Sequence, residues 1–477
     1  MTSRAVRQDS ILTNLSARRI LRTRRSALRI GTMGFGGWTL SSLLQAEASS
    51  GLKSSRKSII NIHLDGGPPH LDTIDPKPHA PVEIRGEFDS LETTVPGLNV
   101  TELMPRVASI AHRFAFIRSL VGSAGAHDAF QCQSGYGAKD LQSLGGRPAV
   151  GCVISKLKGR SDDPAPAFID LMQGRPLVRR SARPGFLGPS VQPFRPDISK
   201  MFHRELEPGM KGELSRLGDE HSIRLTLDAD LSVERVDDRT ALLTSLDRMR
   251  RDVDASGIME AMDSFTQQAV GILMSGQLAR AMDLENEDAR TLARYTAPAS
   301  DAGRQSTTSE GPDSIRKFLL ARRLIEAGAR CVSVSISDFD THSDNFPRMR
   351  NLMPIVDFGL HALVTDLEER GILDDVSIVV WGEFGRTPRI DPKTGGRHHW
   401  PRVGPALLAG GGIRTGQVIG ETDRLGDDVR SRPVHYKDIF ATLYANLGID
   451  ARNITIPDPQ GRPQYLLDDG TPLPELR

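Results

Sequence analysis

The chain predicts an α/β fold: a mostly parallel central sheet with helices on both faces and an inserted helical and loop subdomain. Three observations carry that prediction. Continuous apolar, β-branched runs stop abruptly at Gly, Pro or acidic residues, the pattern of strands buried on both faces. Helical patterns alternate with such runs through the last third of the chain. A polar, Pro-rich middle third interrupts the alternation.

The first 48 residues stand apart from the fold. They contain "TRRSALRIGTMGFGGWTLSSLLQAEA", which orders a basic region with Arg24 and Arg25, a weakly apolar Gly-rich stretch from Ile30 to Leu44, and an A-x-A cleavage site at Ala46-Glu47-Ala48. That order predicts an export signal, and the paired arginines resemble the twin-arginine signal. The expected address is periplasmic or secreted, with the twin-arginine machinery as a partner. No permanent membrane span is expected, because the Gly-interrupted stretch 30–44 falls short of the roughly 20 residues needed to cross a bilayer. Removing residues 1–48 leaves 53 basic against 58 acidic side chains, a mildly acidic protein without the electrostatic footprint of a nucleic-acid binder. Three scattered cysteines, Cys132, Cys152 and Cys331, are too few for a disulfide framework or a thiolate zinc site.

After a linker (49–57), "SIINIHL" (58–64) reads as a buried strand stopped by "DGGPPH", and "FAFIRSL" (114–120) as a second stopped by "VGSAGAHD". These belong to the first part of the α/β domain, 58–160. Residues 161–315 read as an insertion or lid, with a Pro-rich loop, amphipathic helices at 239–254 and 262–275, and a polar segment, "TLARYTAPASDAGRQSTTSEGPDS", expected to be a mobile surface loop. The second part, 316–477, resumes with "DSIRKFLLARRLIEAG" (helix), "ARCVSVSI" (strand), "RMRNLMPIVDFGLHALVTDLEERG" (helix), "VSIVVW" and "GPALLAGG" (strands) and a final helix, "YKDIFATLYANLGI".

In open α/β sheets, ligands sit beyond the C-terminal ends of the strands, so the residues just past each strand are the informative ones. "SIINIHL" is followed by Asp65, by Gly66 and Gly67, which would let backbone approach a ligand, and by His70, Asp72 and Asp75. "ARCVSVSI" is followed by Asp338, Asp340, His342 and Asp344; "VSIVVW" by Glu383 and then His398 and His399. Each piece alone also reads as a turn, a helix cap or a surface loop. Together, carboxylates mixed with imidazoles suit one or two divalent ions, zinc first, rather than magnesium or calcium. "GSAGAHDAFQCQSGYG" offers a helix N-terminus as an anion cradle, with Ser123, His127, Cys132 and Ser134 as candidate nucleophile, base or ligand, although Cys132 reads equally as core. Arg386 is a candidate for facing an oxyanion, or else a salt-bridge partner.

At "GGPPHLDTIDPKP" with "EIRGEF", "DTHSDNF", "GEFGRTPRI" with "GRHHWP", "LLAGGGIRTGQVIGETD", and "VHYKDIFATLYANLGID" with "GRPQYLL", the chain resembles the bacterial family known as domain of unknown function 1501. That family looks like the alkaline phosphatase and sulfatase superfamily. The resemblance implies an alkaline-phosphatase-like fold with metal ligands at strand ends: Asp65 for one ion, Asp340 with His342 for another, and Glu383 and His399 from the later loop. His398 stands where relatives often carry Asp, and Phe384 where the superfamily usually carries His. The sulfatase C/S-x-P-x-R motif is absent, leaving Ser123, His127 or water to attack. The expected activity is metal-dependent hydrolysis of an anionic ester, phosphate or sulfate, with saccharide esters among the candidates. The alternatives are a non-catalytic binding or scaffold protein on the same fold and, less favoured, a mutase or transferase.

Overall fold

Each of these apolar runs forms a strand, because a run with no polar side to expose is stable only when both faces are covered. In the computed structural model, residues 57–141, 145–160, 163–173, 181–199, 201–202, 276–297 and 308–477 are described. The expected signal (1–48) and the helices expected at 239–254 and 262–275 lie outside them.

The sheet strands are β1 (Ser58–Leu64), β2 (Phe114–Val121), β3 (Phe168–Leu171), β4 (Cys331–Ile336), β5 (Val376–Trp381), β6 (Gly404–Gly410), β7 (Gln417–Ile419) and β8 (Val434–His435). Their order is β7-β2-β6-β5-β1-β4-β3, with β8 also on β2. β1 runs parallel to β4 and β5, with Ile60 beside Val332 and Ile378, while β6 is antiparallel to both β2 and β5. The sheet is therefore mostly parallel, and β6 enters it at the edge where β2 and β5 leave.

Alternation along the strands divides the core in two. Ile60, Ile62, Val334 and Val380 pack with Leu319 of α2 (Arg316–Glu326) and Leu352 of α3 (Asn345–Glu369). Ile59, Val379 and Trp381 pack on the other face with Val153 of α1 (Val150–Lys158) and Phe440 of α4 (Tyr436–Asn446). All three cysteines are buried and unbridged. No helix among the described residues is long and apolar enough to cross a membrane.

Three expectations change. Part of the expected insertion belongs to the sheet: β3 lies within 161–315 and pairs in parallel with β4, a four-residue strand whose Asp170 is held by Arg195 at 2.9 Å. The described flanks of the polar segment expected to be a surface loop are held in the core, since Tyr295, Ser309 and Glu310 are buried and Glu310 pairs with buried Lys317 at 2.7 Å, while its middle, 298–307, lies outside the described residues. The residues after β2 do not open a helix either. Gly122 and Gly125 sit at φ 95° and 69°, a region that favours glycine and interrupts a right-handed helix, and only the single turn Gln131–Ser134 follows.

Candidate metal centre

Because β1, β2, β4 and β5 point the same way, the segments leaving them meet at one edge of the sheet. β1 ends at Leu64, and at Gly66 (φ 109°) the backbone passes so close to β4's exit that a Cβ would lie 2.3 Å from the Asp340 nitrogen; at Gly67 it would lie 2.5 Å from the Phe384 ring. The two glycines thus admit neighbouring protein rather than a ligand.

Two groups of donor side chains form here. The inner group is His63, Asp65 and Glu383, all buried; the outer is His127, Asp340 and His399, all part-exposed. In each group the donor atoms lie within 4.8 Å of one another. Glu383 Oε1 accepts from the Gly66 N–H at 3.0 Å and contacts His127 Nδ1 at 3.0 Å. His127 Nε2 is 3.3 Å from Asp340 Oδ2, so one imidazole joins the groups. His63 Nε2 lies 3.1 Å from Glu383 Oε2, yet neither atom makes an aligned hydrogen bond, and buried His399 Nε2 makes none. Buried donor atoms left without an aligned hydrogen bond are a pattern that a bound ion or water would account for.

The electrostatics agree. Burial would raise the Asp340 and Glu383 carboxyls, but the surrounding imidazoles, with Arg386 beside Asp340, hold both well below the usual carboxylate range. Burial would lower the His127 imidazolium, but hydrogen bonds to Asp340 and Glu383 outweigh it and raise its pKa to about 9. Burial lowers that of His342 to about 4. The metal-free site holds ionised carboxylates with His127 as their counter-charge.

Among the residues expected from sequence, Asp65, Asp340, Glu383 and His399 come together. His342 reaches Asp340 Oδ1 at 3.0 Å, while His398 sits one ring further out, its Nδ1 2.8 Å from His342 Nδ1, and joins neither group. His127, expected as base or nucleophile, is a donor in the outer group. Ser123 does not stand as a nucleophile: its hydroxyl donates to the Glu383 carbonyl at 2.6 Å, which fixes the loop instead. Nor does Arg386 face an oxyanion. It is fully buried, donating to the Gly66 and Gly67 carbonyls, to the Arg397 carbonyl at 3.0 Å and to Asp340 at 2.5 Å, so it ties three loops together. His70 bonds the Gly426 carbonyl at 2.7 Å, and Asp72 pairs with buried Arg397; both brace the loops. Cys132 is core, burial pushing its thiol up.

His63 escaped sequence reasoning because a histidine inside an apolar strand reads as core; the available signal was its place two residues before Asp65, on the side of the strand that Asp65 shares. Phe384, where the resemblance leads one to expect histidine, stacks on His399 with ring centres 4.2 Å apart and sets that ring's plane.

Similarities to known proteins name a family without assigning a reaction. No curated protein matches the chain. Among solved structures it is similar to a sulfatase from Pseudoalteromonas sp. (14% identity, TM-score 0.35, 86% of this chain and 70% of that one). It is also similar to a phosphonate monoester hydrolase of Agrobacterium radiobacter (16% identity, TM-score 0.33, 88% and 77%). Residues 56–477, which carry both donor groups, match the family described as "Protein of unknown function (DUF1501)", and the chain belongs to that family.

Proposed function

We propose that this protein is an exported, divalent-metal-dependent hydrolase of phosphate or sulfate esters, with zinc the leading ion and one or two ions bound. The observation that supports it most is the pair of donor groups bridged by His127, whose buried His63, Glu383 and His399 atoms converge without bonding one another. That donor set fits a divalent ion: mixed oxygen and nitrogen donors, ionised carboxylates, and an inner group shielded from water. His63, Asp65 and Glu383 would hold one ion; His127, Asp340 and His399, with His342 beside them, a second. When bound, such ions polarise the ester and acidify water. The protein's own residues set the geometry: Arg386 fixes Asp340, Ser123 fixes Glu383 through its carbonyl, and Phe384 orients His399. With Ser123 so engaged, water is the proposed nucleophile. Export rests on the order basic, apolar, A-x-A within residues 1–48.

A second reading, a metal-holding binding or scaffold protein, is favoured by that same engagement of Ser123 and by the burial of Arg386. Elemental analysis of the purified protein and hydrolysis of aryl phosphate, aryl sulfate and sulfated saccharide esters separate the two. At least one equivalent of divalent metal with ester turnover is expected; metal without turnover favours the second reading, and less than one equivalent overturns both. Replacing Arg24 and Arg25 by Lys should retain the precursor in the cytoplasm.

A further inference from the structure

The backbone leaving β4 bends at a residue that is not glycine. Asp338 sits at φ 86°, and among the described residues it shares a positive φ with only two other non-glycines, Asp344 and Arg432, both at 52°. Those two lie in the left-handed well that aspartate visits at little cost; Asp338 lies beyond it. Such a conformation persists only where the surroundings overdetermine it. Glycine would adopt it freely, so a buried carboxylate at this position implies a use for the carboxylate itself.

That use is visible in the ties that lead to Asp340. Asp338 Oδ2 accepts the Ser309 N–H at 3.0 Å, and its Oδ1 accepts from the Arg348 guanidinium. Arg348, in the first turn of α3, also donates to the Asp338 carbonyl at 2.9 Å and to the Asp340 carbonyl at 3.0 Å. One side chain therefore spans residues 338 and 340. Between them the Phe339 N–H bonds the Asp65 carbonyl at 2.9 Å, which fastens the turn to the exit of β1. Arg386 holds the Asp340 carboxylate; Asp338 and Arg348 hold the backbone from which that side chain starts. An aspartate has a single methylene between backbone and carboxylate, so an error in backbone direction passes to its oxygens.

We infer that Asp338 and Arg348 are positioning residues that aim Asp340 at His127 and His399, presetting the outer group for its ion. The inference rests on the metal-dependent reading proposed for this site and adds two residues that belong to neither donor group. Removing partners that orient a metal ligand commonly costs 10–100-fold in affinity.

The test is Zn2+ affinity of the chelator-stripped full chain, measured by competition with a chromophoric chelator, beside thermal unfolding of the same metal-free samples. Asp338→Gly accepts the turn but lacks the carboxylate. It should hold the more exchangeable Zn2+ about tenfold more weakly, while losing less thermal stability than Asp338→Ala, which lacks the carboxylate and keeps the strain. Asp338→Asn, which tolerates positive φ and keeps an oxygen for Arg348, should stay within about threefold of wild type. Arg348→Met, similar in reach but without donors, should match Asp338→Gly in affinity, and it carries the test if the glycine variant does not fold. Asp338→Gly or Arg348→Met binding Zn2+ as tightly as wild type would make the turn merely structural and overturn the inference, leaving the metal-dependent reading intact. A wild-type protein that binds no Zn2+ would overturn both.

Discussion

The two donor groups have similar chemistry and opposite mechanical settings. His63, Asp65 and Glu383 stand on or within two residues of β1 and β5, central neighbours in the sheet, and are fully buried. His127 and Asp340 stand on loops and His399 on a two-residue ribbon outside the sheet, and all three keep partial exposure. Donors on a sheet are held by the core and change position only if the fold does; donors beyond it are held by side-chain ties, as Asp340 is by Arg386. On the metal-dependent reading proposed above, the inner group would retain its ion and the outer one would be open to water and substrate.

The largest expected effect comes from removing the residue that serves both. Glu383→Ala takes away the acceptor for the Gly66 N–H and the partner of His127 and His63. Breaking a buried charged network in this way costs on the order of 3–5 kcal/mol, so chemical denaturation should show a loss of that size and elemental analysis the loss of metal from both groups. His63→Gln should instead deplete the inner group alone; equal depletion of both would erase the distinction between them.

Next is Gly66→Ala. A Cβ 2.3 Å from the Asp340 backbone nitrogen at φ 109° must push β1's exit away from β4's, at about 2 kcal/mol or more. Its cost should appear both in thermal unfolding and in weaker metal binding by the outer group.

A smaller, reversible effect concerns pH. In metal-free protein the His127 imidazolium is stabilised by both carboxylates, its pKa raised from 6.5 to about 9. Its contribution to stability is complete below about pH 6.5 and is lost as pH rises through about 9. Denaturation at fixed ionic strength should therefore show stability falling across that window, and His127→Gln should flatten the fall. At the bottom of the scale, Val82→Ser, at a position 62% exposed, should change stability by less than about 0.5 kcal/mol.

Legibility in the sequence divides along the same line. β1, β2, β5 and β6 were legible as runs with little polar alternation, and β4, whose Ser333 and Ser335 alternate with valines, from its place between two helical patterns. β3 was not, since "FIDL" is four residues long, carries Asp170 and lies among prolines. Asp340 and Glu383 drew notice because each stands just past an apolar run, and His399, well beyond β5, was carried by the resemblance. His63 was hidden by the apolar strand around it. The role of Ser123 could not be read at all, because its partner is the Glu383 backbone carbonyl, 260 positions away, and a carbonyl leaves no mark in the sequence; for Arg386 the salt-bridge alternative was legible, but not its ties to the Gly66 and Gly67 carbonyls.

Because β6 runs back beside β5, the connection 382–403 starts and finishes at the same edge, pinned at one end by Glu383 and at the other by the pairing of Gly385–Arg386 with His399–Trp400. Its exposed tip near Lys393 is thus an ordinary closed loop, whose entropy changes only logarithmically with length, by about 0.6 kcal/mol per doubling. Thr394 and Gly395 also bond the segment that leaves β4, so a change of chain length beside Lys393 leaves β5 and β6 in register and acts first on the loop that carries Asp340 and His342.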